Sequence, residues 1–81
     1  MIINNNEKYV NIFKTMFNVD EIEAEKLEYQ SIESWDSVGH MELVTEIEDA
    51  FDIEMETDDI LDFSSFSKGK EILKEKYDIA F

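Results

Sequence analysis

The chain has no cysteine, no proline and only two glycines in 81 residues. Without cysteine, neither a disulfide framework nor a thiolate-bound metal site can form. With so little to interrupt it, the chain favours helices joined by polar loops. No run of about 18 apolar residues occurs, so no membrane span is expected. The opening MIINNNEKYV lacks the basic end and long apolar middle of a secretory signal, which makes a cytoplasmic location the default expectation. Bases are scarce as well: seven against 21 acids, for a formal net charge of −14. From Asp20 to Asp62 seventeen acids meet one base, Lys26, while four of the seven lysines lie between Lys68 and Lys76. A middle this negative repels nucleic acid and anionic membrane. It attracts basic protein surfaces and speeds their association. Solubility alone is the competing explanation of the charge.

What is present is enough for one domain, residues 1–81. A domain of this size buries only ~60% of the surface its unfolded chain exposes. With 43% hydrophobic residues at regular spacing, the composition is that of a folded core rather than of disorder. No internal repeat, low-complexity tract or linker-like shift interrupts it.

Periodicity predicts an all-α fold: a small four-helix bundle of three longer helices and one short one, with a long ordered loop between the first and second. Tyr9, Val10, Phe13, Met16 and Phe17 form one helical stripe over about 7–18, with Asn4 and Glu7 at capping-box spacing. Asp36 is a good N-cap for a second helix whose first residue is Ser37. Leu43, Val44, Ile47 and Phe51 form its core face, with Ala50 beside them and His40 near its start. The opposite face carries Val38, Met41, Glu42, Thr45, Glu48 and Asp49, with Ser37 at its margin. A purely solvated face has no need of Val38 and Met41. A short helix is expected over about 57–63, capped by Thr57. A last one follows the serines of DFSSFSKGKEILKEKYD, with Phe66, Ile72, Leu73 and Tyr77 on its stripe. Gly69 shares that stripe, which suggests close approach of a neighbouring helix. The connection from Asn18 to Trp35 is long for a compact domain. Asp20 and Glu23 have cap spacing there, and Val19, Ile22, Leu27, Tyr29, Ile32 and Trp35 are available to anchor it.

Ser37 invites three chemistries. As a hydrolase nucleophile it would use His40, one turn on and close enough for contact. That chemistry also needs an oxyanion hole and a pocket, and the G-x-S-x-G elbow is absent. The better reading of His40 is a partly buried helix residue. Metal binding by EDAFDIEMETDD would suit calcium or magnesium, but the glycine of a calcium-binding loop is missing; no metal site is expected.

The third chemistry is attachment. WDSVGHMELVTEIEDAFDIEM resembles the central segment of acyl carrier proteins, in which an Asp-Ser-Leu motif opens the second helix. Asp36 and Ser37 match its first two positions; Val38 replaces the leucine. Leu43, Ile47 and Phe51 continue the family's core spacing, and Glu42, Glu48 and Asp49 its acidic face. The Gly-Gly approach typical of peptidyl carriers is absent from SWDS. The resemblance implies a non-catalytic carrier of fatty-acid, polyketide or related biosynthesis, expected to be monomeric. Ser37 would bear covalent 4′-phosphopantetheine, added by a phosphopantetheinyl transferase. Asp36 would cap the helix and help place the transferase's magnesium. Val38, Met41, Glu42, Thr45, Glu48 and Asp49 would dock acyl-loading and acyl-processing enzymes through their basic patches, and the bundle interior would shelter part of the cargo. The opposing reading is an unmodified acidic helical adaptor or inhibitor of a basic protein.

Overall fold

Most helices begin where a polar side chain caps them. In the computed structural model, which describes residues 4–81, Asn4 Oδ1 accepts the Glu7 N–H at 2.8 Å and opens α1 (Asn5–Phe17). Asp20 does the same for Glu23, at 2.8 Å, and opens α2 (Glu21–Glu25). Asp36 opens α3 (Ser37–Phe51). After α4 (Thr57–Asp62), Ser65 caps α5 (Phe66–Lys76) through the Lys68 N–H at 2.9 Å. The described residues are therefore all-α, with five helices where four are expected; the extra one is α2, inside the connection. Residues 1–3, part of the stretch read against a secretory signal, lie outside the described residues.

The start of α4 corrects one expectation. Its N-cap is Glu56, not Thr57, and no side chain caps it. Instead the Glu56 N–H donates to the Tyr77 hydroxyl at 2.8 Å, a partner 21 residues away.

The remainder of the connection is tied to the turn before α5. The Phe66 N–H donates to the Leu27 carbonyl and the Tyr29 N–H to that of Ser64, both at 2.9 Å. Glu28 and Ser65 thereby form an isolated antiparallel bridge. Leu27 and Trp35 are buried anchors, as expected, but Ile22 and Tyr29 are not: they stay 68% and 38% exposed. On α2 the buried residue is Ala24.

Phe13 sits at the centre of an aromatic cluster. Its ring centroid lies 5.0 Å from those of Tyr9 and Phe66, 5.6 Å from Trp35 and 5.9 Å from Phe17. Tilted and edge-on pairs of this kind add ~0.5–1.5 kcal/mol each beyond their buried area. Tyr9 is wholly buried, and its hydroxyl donates to the Phe66 carbonyl at 2.6 Å. Burial pushes its phenol well above the usual range.

Two contacts fix α4 against α5. Asp59 is 4% exposed and accepts from Lys76 Nζ at 2.7 Å and from the Tyr77 hydroxyl at 2.6 Å. Those hydrogen bonds, Lys76 first, lower its carboxyl pKa against the opposing effect of burial. Gly69 does lie on the buried stripe, but what approaches it is the Phe63 ring at the end of α4, which a β-carbon would overlap.

Gly69→Ala is therefore expected to lower the urea midpoint. Overpacking costs roughly 1–3 kcal/mol, against a helix-propensity gain of ~1 kcal/mol. A raised midpoint would show that Phe63 yields. The depressed pKa of Asp59 means its stabilisation is present above the unfolded value of about 3.9 and is lost as pH falls through the lower folded value. Asp59→Asn should thus be less stable than the parent at pH 7, with the gap closing in acid. Parallel stability–pH curves would assign the acid transition elsewhere.

Candidate functional site

The start of α3 is set by its own cap and by the loop beneath it. Asp36 Oδ1 accepts the Gly39 N–H at 2.8 Å, and its carbonyl accepts the His40 N–H, also at 2.8 Å. Gly39 packs on the Ser34 carbonyl so closely that any side chain would collide with it. The loop over 31–35 can therefore lie flat on the first turn of α3.

Trp35 and His40 lock that turn to the core. The indole N–H donates to His40 Nδ1 at 2.9 Å, and His40 Nε2 meets the Ile60 carbonyl of α4 at 2.8 Å. An indole nitrogen can only donate and a carbonyl only accept. The imidazole thus carries its proton on Nε2, and both ring nitrogens are committed. The ring also stacks on Trp35, 6.2 Å between centroids and 16° apart in plane, and meets Phe63 edge-on at 5.9 Å. With Nδ1 filled by Trp35 and Nε2 by Ile60, the nucleophile–base reading of Ser37 and His40 fails. The partly buried helix residue is what His40 is.

Ser37 is exposed at the first position of α3. Val38 and Met41 beside it are 66% and 52% exposed. Glu42, Thr45 and Asp49 are also exposed, so five of the six residues expected on the docking face lie on open surface. Thr45 Oγ1 donates back to the Met41 carbonyl at 3.0 Å.

Glu48 departs from that face. It is half-buried, and its Oε2 accepts the Met55 N–H at 2.8 Å, spanning the turn between α3 and α4. A carboxylate spent on a backbone amide is less available to a partner. Leu61 is the apolar residue that the sequence reading missed: it is 75% exposed on α4. No local signal singles it out, since the adjacent apolar pairs Leu43–Val44 and Ile72–Leu73 are buried at both positions.

An open groove of about 1040 Å³ runs between α1 and α3, with Ser37 in its wall. Ile12 and Met16 line it from α1, and Val38, Met41 and Ala50 from α3. Among the described residues, no group of three or more histidines, aspartates or glutamates is placed to hold a metal ion. No described helix is long and apolar enough to cross a membrane. No family model, curated protein or solved structure matches the chain.

The two polar residues of this turn are expected to behave oppositely on substitution. His40→Ala strands the buried Trp35 N–H and should cost about 1–3 kcal/mol. Ser37→Ala removes an exposed hydroxyl and should shift stability by no more than about 0.5 kcal/mol. Denaturant titration of both variants checks this; an equal loss would make Ser37 a structural residue.

Proposed function

We propose that the chain is a carrier of the acyl-carrier type, in which Ser37 Oγ bears 4′-phosphopantetheine. The observation that carries this reading is the setting of Ser37. Its hydroxyl is exposed at the first position of a 15-residue helix, while the neighbouring base is fully engaged elsewhere. The four helices of that bundle correspond to α1, α3, α4 and α5, with α2 inside the long connection.

The local chemistry fits the group. A phosphodiester on Ser37 carries negative charge into the positive end of α3, where amides of the first turn are free to meet it. Asp36 spends Oδ1 on the Gly39 amide. Asp36 is itself exposed, and on this reading its carboxylate would help place a magnesium ion brought by the transferase. In the loading step Ser37 Oγ attacks the phosphorus next to the pantetheine of coenzyme A. The bond from that phosphorus to adenosine 3′,5′-bisphosphate breaks, and the hydroxyl proton passes to a base of the transferase. When attached, the arm supplies a terminal thiol that holds an acyl group as a thioester. Tethering then replaces diffusion with a high effective concentration at each partner enzyme. The chain itself contributes position: the cap, the Trp35–His40 lock and an acidic surface that steers basic patches. We place it in the cytoplasm as a monomer, serving separate acyl-loading and acyl-processing enzymes.

Incubation with a broad-specificity phosphopantetheinyl transferase and coenzyme A tests the assignment by intact mass. One addition is expected on the parent and none on Ser37→Ala. Addition to the variant, or none to the parent, rejects Ser37, and the latter favours the unmodified acidic adaptor. For docking, Glu42→Lys with Asp49→Lys should slow loading several-fold at low salt. The difference should fade as the Debye length falls to about 8 Å at physiological ionic strength. A deficit that ignores salt would remove the steering role.

A further inference from the structure

Resting on the carrier reading, we infer that His40 is the positioning residue of the loading reaction. It acts through the Trp35 indole and the Ile60 carbonyl, and holds Ser37 Oγ where a transferase must find it. Ser37 is exposed, so its neighbours set its place. Trp35 stands two residues before it and His40 three after it, so the indole–imidazole bond closes a short loop of chain around the serine. The Trp35 end is itself tied down: its backbone N–H donates to the Ile32 carbonyl at 3.2 Å, and its carbonyl accepts the Gln30 N–H at 2.9 Å. The His40 end reaches a second element. Ile60 lies in the last turn of α4, where helix carbonyls lack partners within the helix, and the imidazole N–H supplies one. A swing of the first turn of α3 would strain a bond at one end or the other.

Stability alone does not call for this polar bridge. Trp35 is wholly buried, and the imidazole packs on its ring and against the edge of Phe63. Apolar side chains of the same shape would fill that space, and exchanging both partners of a buried hydrogen bond for such a pair is nearly neutral. What the apolar pair lacks is direction. The two hydrogen bonds fix the rotation of the ring as well as its tautomer, with Nε2 protonated and Nδ1 accepting. A buried polar network satisfied in full specifies one arrangement. Loading is a phosphoryl transfer that needs the serine oxygen in line with the phosphorus, and a misplacement of about 1 Å can cost about a hundredfold in rate. Both ring nitrogens are committed, so the part left to His40 is position rather than proton transfer.

Two variants separate position from packing. Trp35→Phe with His40→Leu removes the bridge and keeps the space filled. His40→Gln keeps the bridge, because its amide offers an acceptor oxygen and a donor nitrogen side by side. Loading is followed with a broad-specificity phosphopantetheinyl transferase and coenzyme A, at a temperature where circular dichroism shows each chain fully folded. The double variant should unfold closer to the parent than His40→Ala does, yet load about tenfold more slowly. Its kcat and kcat/KM should fall together while KM stays within about twofold, the pattern of lost positioning rather than lost docking. His40→Gln should recover most of the rate. Trp35→Phe alone removes only the donor and should slow loading about threefold in the same pattern, so the outcome does not rest on the double variant. A readout independent of loading accompanies these. Long-range proton–nitrogen NMR of the parent should show the Nε2–H tautomer, and exchange protection of the Gly39 and His40 amides should fall without the bridge and return with glutamine. Parental loading by the folded double variant and by Trp35→Phe, no recovery with glutamine, or the Nδ1–H tautomer overturns the role of His40 and leaves the carrier reading standing. A parent that no transferase loads, with tautomer and protection as expected, overturns the carrier reading, and with it any reaction for His40 to serve.

Discussion

The arrangement turns on one hydrogen-bonded ring, His40, held between the Trp35 indole and the Ile60 carbonyl. Those two bonds join three parts of the chain: the end of the long connection, the first turn of α3 and the middle of α4. Trp35 is wholly buried and contacts Phe13 and Phe17 of α1. Fixing Trp35 fixes where Asp36 can cap, and so where α3 starts. The exposure of Ser37 is then a consequence of register rather than of any contact made by Ser37 itself. Gly39 completes the device, since only a residue without a side chain lets the Ser34 carbonyl come so near.

How legible this was depended on whether a feature is local. Asn4, Asp20 and Asp36 cap as their spacing suggests, because a cap bonds an amide two or three residues away. The core faces of α1, α3 and α5 follow from period and hydrophobicity alone. Thr57 was misread for the opposite reason: the amide at the start of α4 is satisfied by Tyr77, which no local rule can name. The same holds for Asp59, whose position in an acidic run suits a solvated helix start, yet which is buried by pairing with Lys76 and Tyr77. Ile22 shows the converse limit. An apolar residue in a connection is available to the core, but in a helix of one and a half turns with Ala24 facing inward it is turned out.

The acidic surface is also more differentiated than a count of carboxylates implies. Glu48 is occupied by the Met55 amide and Asp59 by a lysine and a phenol, so both serve the turns around α4. Glu42 and Asp49 keep their charges on open surface beside Val38 and Met41. Leu61 extends the apolar component onto α4. A surface that mixes protruding apolar side chains with free carboxylates can both attract a basic partner from a distance and bury area once it arrives. A uniformly acidic face would do only the first.

The same accounting bears on where chemistry can occur. The deeply buried titratable side chains are Tyr9 and Asp59, and each is consumed by a structural hydrogen bond. The histidine has no free ring nitrogen. His40 therefore cannot serve as a base toward the Ser37 hydroxyl without giving up one of those bonds. Under the proposed carrier reading, the base comes from the transferase. A serine activated by its own fold would react indiscriminately, whereas one that is merely presented is modified only by an enzyme able to dock on the surrounding surface. Under that reading, selectivity would reside in the surfaces of α3 and α4, and the hydroxyl would need only to be accessible and fixed in place.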